Sequence, residues 1–113
     1  MKTPINPFKQ ALAQGKTQIG LWLSLAHFMS TEICTGAAFD RLLPDGAHSP
    51  NTLSTLLSQL QAVTAYPDTH PVRRLPPGHD ESGAALIKQF LDLEFQSRLV
   101  PMVDTPVTTC TVY

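Results

Sequence analysis

Hydrophobic positions along the chain alternate between two rhythms. From Gln18 to Ser24 they are almost continuous (Ile19, Leu21, Trp22, Leu23) and polar residues bound them, the pattern of a short strand covered on both faces. Similar short runs predict strands over Phe39–Pro44, Pro71–Leu75 and Arg98–Val103, the last carrying Pro101, which cannot donate to a ladder. Between them the spacing becomes helical. Leu53, Leu56, Leu57, Leu60 and Val63 give Thr52–Ala65 one apolar face, with Asn51 as a cap and Tyr66-Pro67 as a stop. Leu86, Ile87, Phe90 and Leu91 do the same for Ser82–Phe95, and Ser30-Thr31-Glu32 can start a short helix, Ile33–Ala38, that Gly36 weakens. The Pro/Gly-rich stretch Pro76–Glu81 predicts no regular structure.

The resulting order, β-α-β-α-β-α-β, predicts an α/β fold with a parallel sheet covered by helices. In such sheets chemistry gathers beyond the carboxyl ends of the strands, so the residues just after each strand are the candidates. Composition narrows the partners. Eight Lys+Arg against nine Asp+Glu, a net charge of −1, leave no basic excess for nucleic acid. The longest apolar run, near Ile19–Ala26, is far short of a membrane span, and Met1–Gln10 lacks the basic start and apolar core of a leader, so no membrane partner and a cytoplasmic location are expected. Cys34 and Cys110 are too few and too far apart for a disulfide framework or a metal knuckle.

After the second strand comes Asp45-Gly46-Ala47-His48-Ser49-Pro50. An Asp three positions before a His on a tight turn can accept a hydrogen bond from one imidazole nitrogen and leave the other free as a base. The same pattern also suits a plain Asp-Gly turn followed by a solvated His. Arg74 closes the third strand, where its guanidinium could steady a developing oxyanion or lie on the surface as an ordinary charge. His27 follows the first strand and reads as structural, and His70 and His79 lack metal-ligand spacing. By spacing alone Asp92, near the end of the third helix, is a solvated carboxylate.

Taken together, Asn6-Pro7-Phe8-Lys9, Gln18-Ile19-Gly20-Leu21-Trp22-Leu23-Ser24, Phe39-Asp40, Leu42-Leu43, Asp45-Gly46, His48, Pro50-Asn51-Thr52, Gln59-Leu60-Gln61-Ala62-Val63, Ile87-Lys88-Gln89 and Leu99-Val100-Pro101-Met102-Val103-Asp104-Thr105 resemble the amino-terminal part of the HpcH/HpaI family of class II pyruvate aldolases. The resemblance implies the amino-terminal half, about four βα units, of a (β/α)8 TIM barrel. It implies a carbon–carbon lyase that splits a 4-hydroxy-2-oxo acid, such as 4-hydroxy-2-oxoheptanedioate, into pyruvate and an aldehyde. A divalent metal (Mg2+, Mn2+ or Co2+) and a hexameric assembly come with it. Carried over by motif, Asp45 and His48 match an Asp–His dyad with the His as base, Arg74 matches the enolate-stabilising arginine, and Asp92 matches a carboxylate that supports the His. The family's metal ligands, a Glu and an Asp, belong to the half of the barrel not represented here.

The chain departs from the family pattern at Arg41, Pro44, Ala47, Ser49, Glu94 and Arg98, and residues 106–113 diverge from the helix expected next, as translation out of frame would. A whole barrel of this class needs roughly 200 or more residues. The reading therefore divides the chain into a partial barrel, 1–105, and a divergent tail, and expects the chain alone to be inactive. The alternative is a truncated remnant that associates with itself or with a full-length aldolase, because open sheet edges and apolar faces favour pairing.

Overall fold

A computed structural model describes residues 5–76 and 81–106. Residues beyond 106, which the sequence reading set apart as a tail, and most of the irregular 76–81 stretch with His79, lie outside the described residues. The elements run α1 (Pro7–Ala13), β1 (Gly20–Leu23), α2 (Phe28–Thr35), β2 (Arg41–Pro44), α3 (Leu53–Thr64), β3 (His70–Arg74), α4 (Glu81–Asp92) and β4 (Ser97–Leu99). All four predicted strands form, the fourth over Ser97–Leu99 and not as far as Val103, and they make one parallel sheet in the order β1-β2-β3-β4. Sequential order with a helix in each connection is the arrangement of successive βα units in a barrel wall.

Strand alternation decides which layer each side chain enters. Leu21, Leu23 and Leu42 face the helices and join Val63, Cys34 and Phe39 in one cluster; Leu75 joins Leu56, Ile87 and Phe90 in a second. The other face carries Gly20, Trp22, Arg41, Leu43, Val72, Arg74, Ser97 and Leu99, which pair with one another across the register. Leu43 and Val72 are buried at its centre, whereas Trp22 and Leu99 remain 48% and 42% exposed there.

Local differences from the sequence reading have physical causes. α1 forms within the polar start because Asn6 accepts the Lys9 N–H and Pro7 presets the first turn. The Asn6 amide also donates to Ser97 Oγ (3.0 Å) and to the Gln96 carbonyl, tying α1 to the entry of β4. Helix α2 starts five residues early, because His27 Nδ1 accepts the Met29 N–H and so caps the helix itself. On α3 the cap is Thr52, in a reciprocal box with Thr55, which releases Asn51 for the neighbouring loop. On α4, Ile87 and Phe90 are buried whereas Leu91 is 46% exposed, so the apolar stripe is narrower than the spacing suggested. Glu94 adopts a φ of +63° just past α4, a left-handed cap that costs a side chain roughly 1–2 kcal/mol. Arg41 is accommodated: its stem lies across Gly20, where a Cβ would collide with it, and its guanidinium sits 5.1 Å from the centre of the Phe8 ring.

Candidate active site

Asp45 is the first residue beyond β2, and a parallel bridge pairs it with Arg74 at the end of β3. Both therefore stand at the carboxyl rim of the sheet. Asp45 is buried, 3% exposed, and its carboxylate is fully engaged. Oδ1 accepts the backbone N–H groups of Ala47 (2.7 Å) and His48 (3.2 Å), an Asx turn that folds the loop back on itself. Oδ2 accepts the Trp22 indole N–H (3.1 Å) and an Arg74 Nη1–H at 3.4 Å. Burial pushes the Asp45 carboxyl up, but the Ala47 and His48 amides, the Trp22 indole and the Arg74 charge outweigh it and hold it below the usual carboxylate range. Asp45 is thus an anion at neutral pH. The Arg74 guanidinium is half-buried and lies 5.5 Å from the Trp22 ring, fixed between an anion and an aromatic face.

The loop is braced from the helix side. Asn51 donates to the Asp45 carbonyl (2.7 Å) and to Ser49 Oγ (2.9 Å), while its own oxygen accepts from Gln59 and Thr55. Gln59, wholly buried on α3, in turn accepts from Thr31 of α2. A chain of buried polar groups therefore runs from two helices into the turn that presents His48, and a satisfied network of this kind rigidifies what it holds.

Three of the four site residues come together here, in a pairing that differs from the expectation. Asp45 binds His48 through the backbone N–H and not through the imidazole, because the Asx turn commits the carboxylate to that amide. The ring is exposed and has no hydrogen-bond partner among the described residues. Asp45 instead anchors Arg74. Asp92 stands apart: it ends α4, just before β4 begins, at the opposite rim, and is exposed. Helices antiparallel to the strands finish at the strands' amino ends, which is why this carboxylate cannot share a site with His48 within one chain. Sequence reading missed Trp22 at the rim and Arg73 behind it. The available signal was a lone Trp on a buried strand, whose indole N–H needs an acceptor.

The family model for HpcH/HpaI aldolase/citrate lyase matches residues 18–113. The chain belongs to this family. Among curated HpcH/HpaI relatives, a 4-hydroxy-2-oxovalerate aldolase of Rhodococcus jostii is 53% identical over 105 residues, 93% of this chain and 39% of that protein. A hydroxypyruvate/pyruvate aldolase of Deinococcus radiodurans is 57% identical over 101 residues, covering 89% and 35% respectively. The crystal structure of a family protein from Burkholderia cenocepacia superposes with a TM-score of 0.85 at 32% identity, over 96% of this chain and 41% of that one. The chain thus spans about two fifths of its relatives' length, consistent with four βα units of a TIM barrel. No helix among the described residues is long and apolar enough to cross a membrane.

Members of the family are generally metal-dependent. Among the described residues no three His, Cys, Asp or Glu side chains gather where a cation could sit, and the one buried rim carboxylate, Asp45, is already saturated by four donors. The described residues do not fit a divalent cation site.

Proposed function

We infer that this chain carries part of the active-site rim of a class II pyruvate aldolase that cleaves a 4-hydroxy-2-oxo acid to pyruvate and an aldehyde. The observation that carries the reading is the Asp45–Arg74 pair at the carboxyl rim, with the free imidazole of His48 three residues away. In the cleavage, the His48 imidazole accepts the proton of the 4-hydroxyl, the C3–C4 bond breaks, and its electron pair moves into the 2-oxo group as an enolate. Arg74, held by Asp45, offers N–H groups to the enolate oxygen as charge develops. Protonation at C3 then gives pyruvate. No step is routed through a metal, whose ligands belong to the remainder of the barrel in this reading, and Asp92 has no part in the single-chain site.

Joining this chain to the carboxyl portion of the Rhodococcus relative that it does not cover, and assaying with added Mg2+ or Mn2+, tests the proposal. The chimera is expected to release pyruvate from 4-hydroxy-2-oxovalerate, with His48→Ala and Arg74→Ala each lowering kcat/KM by about 10²–10³. The 113-residue chain alone is expected to release none. A folded chimera that yields no pyruvate would sink the reading.

The exposed inner face favours a second reading, a self-associating or aldolase-pairing remnant. β1 and β4 each present an unpaired edge among the described residues, and Trp22 and Leu99 lie open between them. Light scattering of the isolated chain should then report dimers or larger species at micromolar concentration. A clean monomer with a cooperative melt would count against association.

A further inference from the structure

We propose that Arg73 is a positioning residue that sets the Asp45–Arg74 pair from behind the sheet. Strand alternation sends Arg74 to the rim and its neighbour Arg73 to the helix layer, where Arg73 is 1% exposed beneath α4. Its guanidinium lies 3.3 Å from the centre of the Phe90 ring and 5.8 Å from that of Phe95. Nη1 has no hydrogen-bond partner among the described residues. A buried guanidinium so poorly satisfied is a costly way to fill space beside aromatic rings, and packing alone does not require it.

Its other contacts all converge on the rim. Arg73 Nε donates to the Arg74 carbonyl (3.3 Å), the same oxygen that accepts the Gly46 N–H (3.0 Å). The Nη2 atom occupies the space that a Cβ at position 46 would fill, so the turn following Asp45 closes directly over the guanidinium. Arg73 therefore acts as a wedge with two contacts, one on the end of β3 and one on the turn after β2. Those are the two segments whose separation sets the 3.4 Å contact between Arg74 and Asp45. The role in catalysis rests on the aldolase reading, whereas the contact geometry does not.

The Trp22 indole, the only one in the chain, donates to Asp45 and supplies a readout independent of turnover. In Arg73→Met, a near-isosteric change, the Trp22 Nε1–H should exchange with solvent about fivefold faster and its NMR resonance should move upfield, as expected when its acceptor is less firmly held. The urea midpoint, measured in parallel, should not fall. Removal of a merely structural misfit would leave exchange unchanged or slow it, and either result overturns the proposal. If Arg73→Met does not fold, Arg73→Lys carries the test, because lysine keeps the charge but lacks the Nε donor: faster exchange supports the wedge and unchanged exchange refutes it. A chimera inactive in pyruvate release would remove the catalytic reading and leave the indole result standing.

Discussion

Arg73→Met is expected to stabilise the fold by about 1–3 kcal/mol at neutral pH, read as a higher urea midpoint. Burial beneath α4 lowers the Arg73 guanidinium from its ordinary value to about 10, with the Asp45 charge opposing the shift only in part. The depression means that the folded state holds this proton less tightly than the unfolded chain does, a penalty of about 3 kcal/mol wherever both forms are protonated. Methionine removes that penalty and keeps a favourable contact with the Phe90 ring, so only part of the roughly 2 kcal/mol available to a desolvated cation over an aromatic face is lost. The sign of the pH dependence follows. From about pH 10 up to the ordinary guanidinium range the unfolded chain binds more protons at this position, so the native protein should gain stability relative to the variant as pH rises past 10. The advantage of Arg73→Met should therefore be full at neutral pH and shrink above pH 10. If removing the cation also loosens the Asp45–Arg74 contact, the rim keeps its geometry at the expense of stability, as functional sites commonly do.

The strands were legible because each is a short apolar run between polar breaks, with helical spacing on either side of it. Helix boundaries were less so, since caps depend on which of several adjacent polar side chains wins. Asn51 and Thr52 are equally good caps by type, and only the demand of the Asp45 loop for a donor assigns Asn51 elsewhere. His27 is not a usual cap, and α2 extends toward it because a ring nitrogen happened to face the Met29 amide. The first helix lacked a hydrophobic stripe to betray it. It is held by Asn6, Pro7 and a contact with Ser97 across 91 positions, which no local pattern reveals.

At the site, residue types were readable and pairings were not. The turn Asp45-Gly46 and the strand-end position of Arg74 follow from sequence spacing, but spacing cannot say which donor reaches a carboxylate. An imidazole three residues away competes with that same residue's own N–H, and the tighter backbone loop wins, leaving the ring exposed. Trp22 enters because positions 22 and 43 share a face, placing the indole two residues short of Asp45 on the neighbouring strand. Arg73 was hidden by its neighbour: two adjacent arginines on a strand must face opposite ways, and one of them had to enter the core. The buried charge lies at Arg73 and not at Arg41, since the Arg41 guanidinium lies over the Phe8 ring and Arg73 lies beneath α4.

Asp45→Asn is expected to destabilise the chain by about 3–5 kcal/mol at neutral pH, the usual consequence of removing one partner from a buried ion pair. Asparagine offers one oxygen where the carboxylate offers two. If that oxygen keeps the Ala47 and His48 amides, the new NH2 faces two donors, Trp22 Nε1 and Arg74 Nη1, neither of which it can accept from. Arg74 then stays half-buried without its counter-charge. The pH dependence identifies the cause. The folded Asp45 carboxyl titrates below its ordinary value, so its contribution is fully present above the ordinary range and is lost as pH falls through the folded value. The native chain should therefore lose stability on acidification below pH 3.8 more steeply than the variant, and the two curves should converge. Parallel curves would place the stabilisation in packing rather than in the charge, and Asp45 would then be holding the loop without holding Arg74.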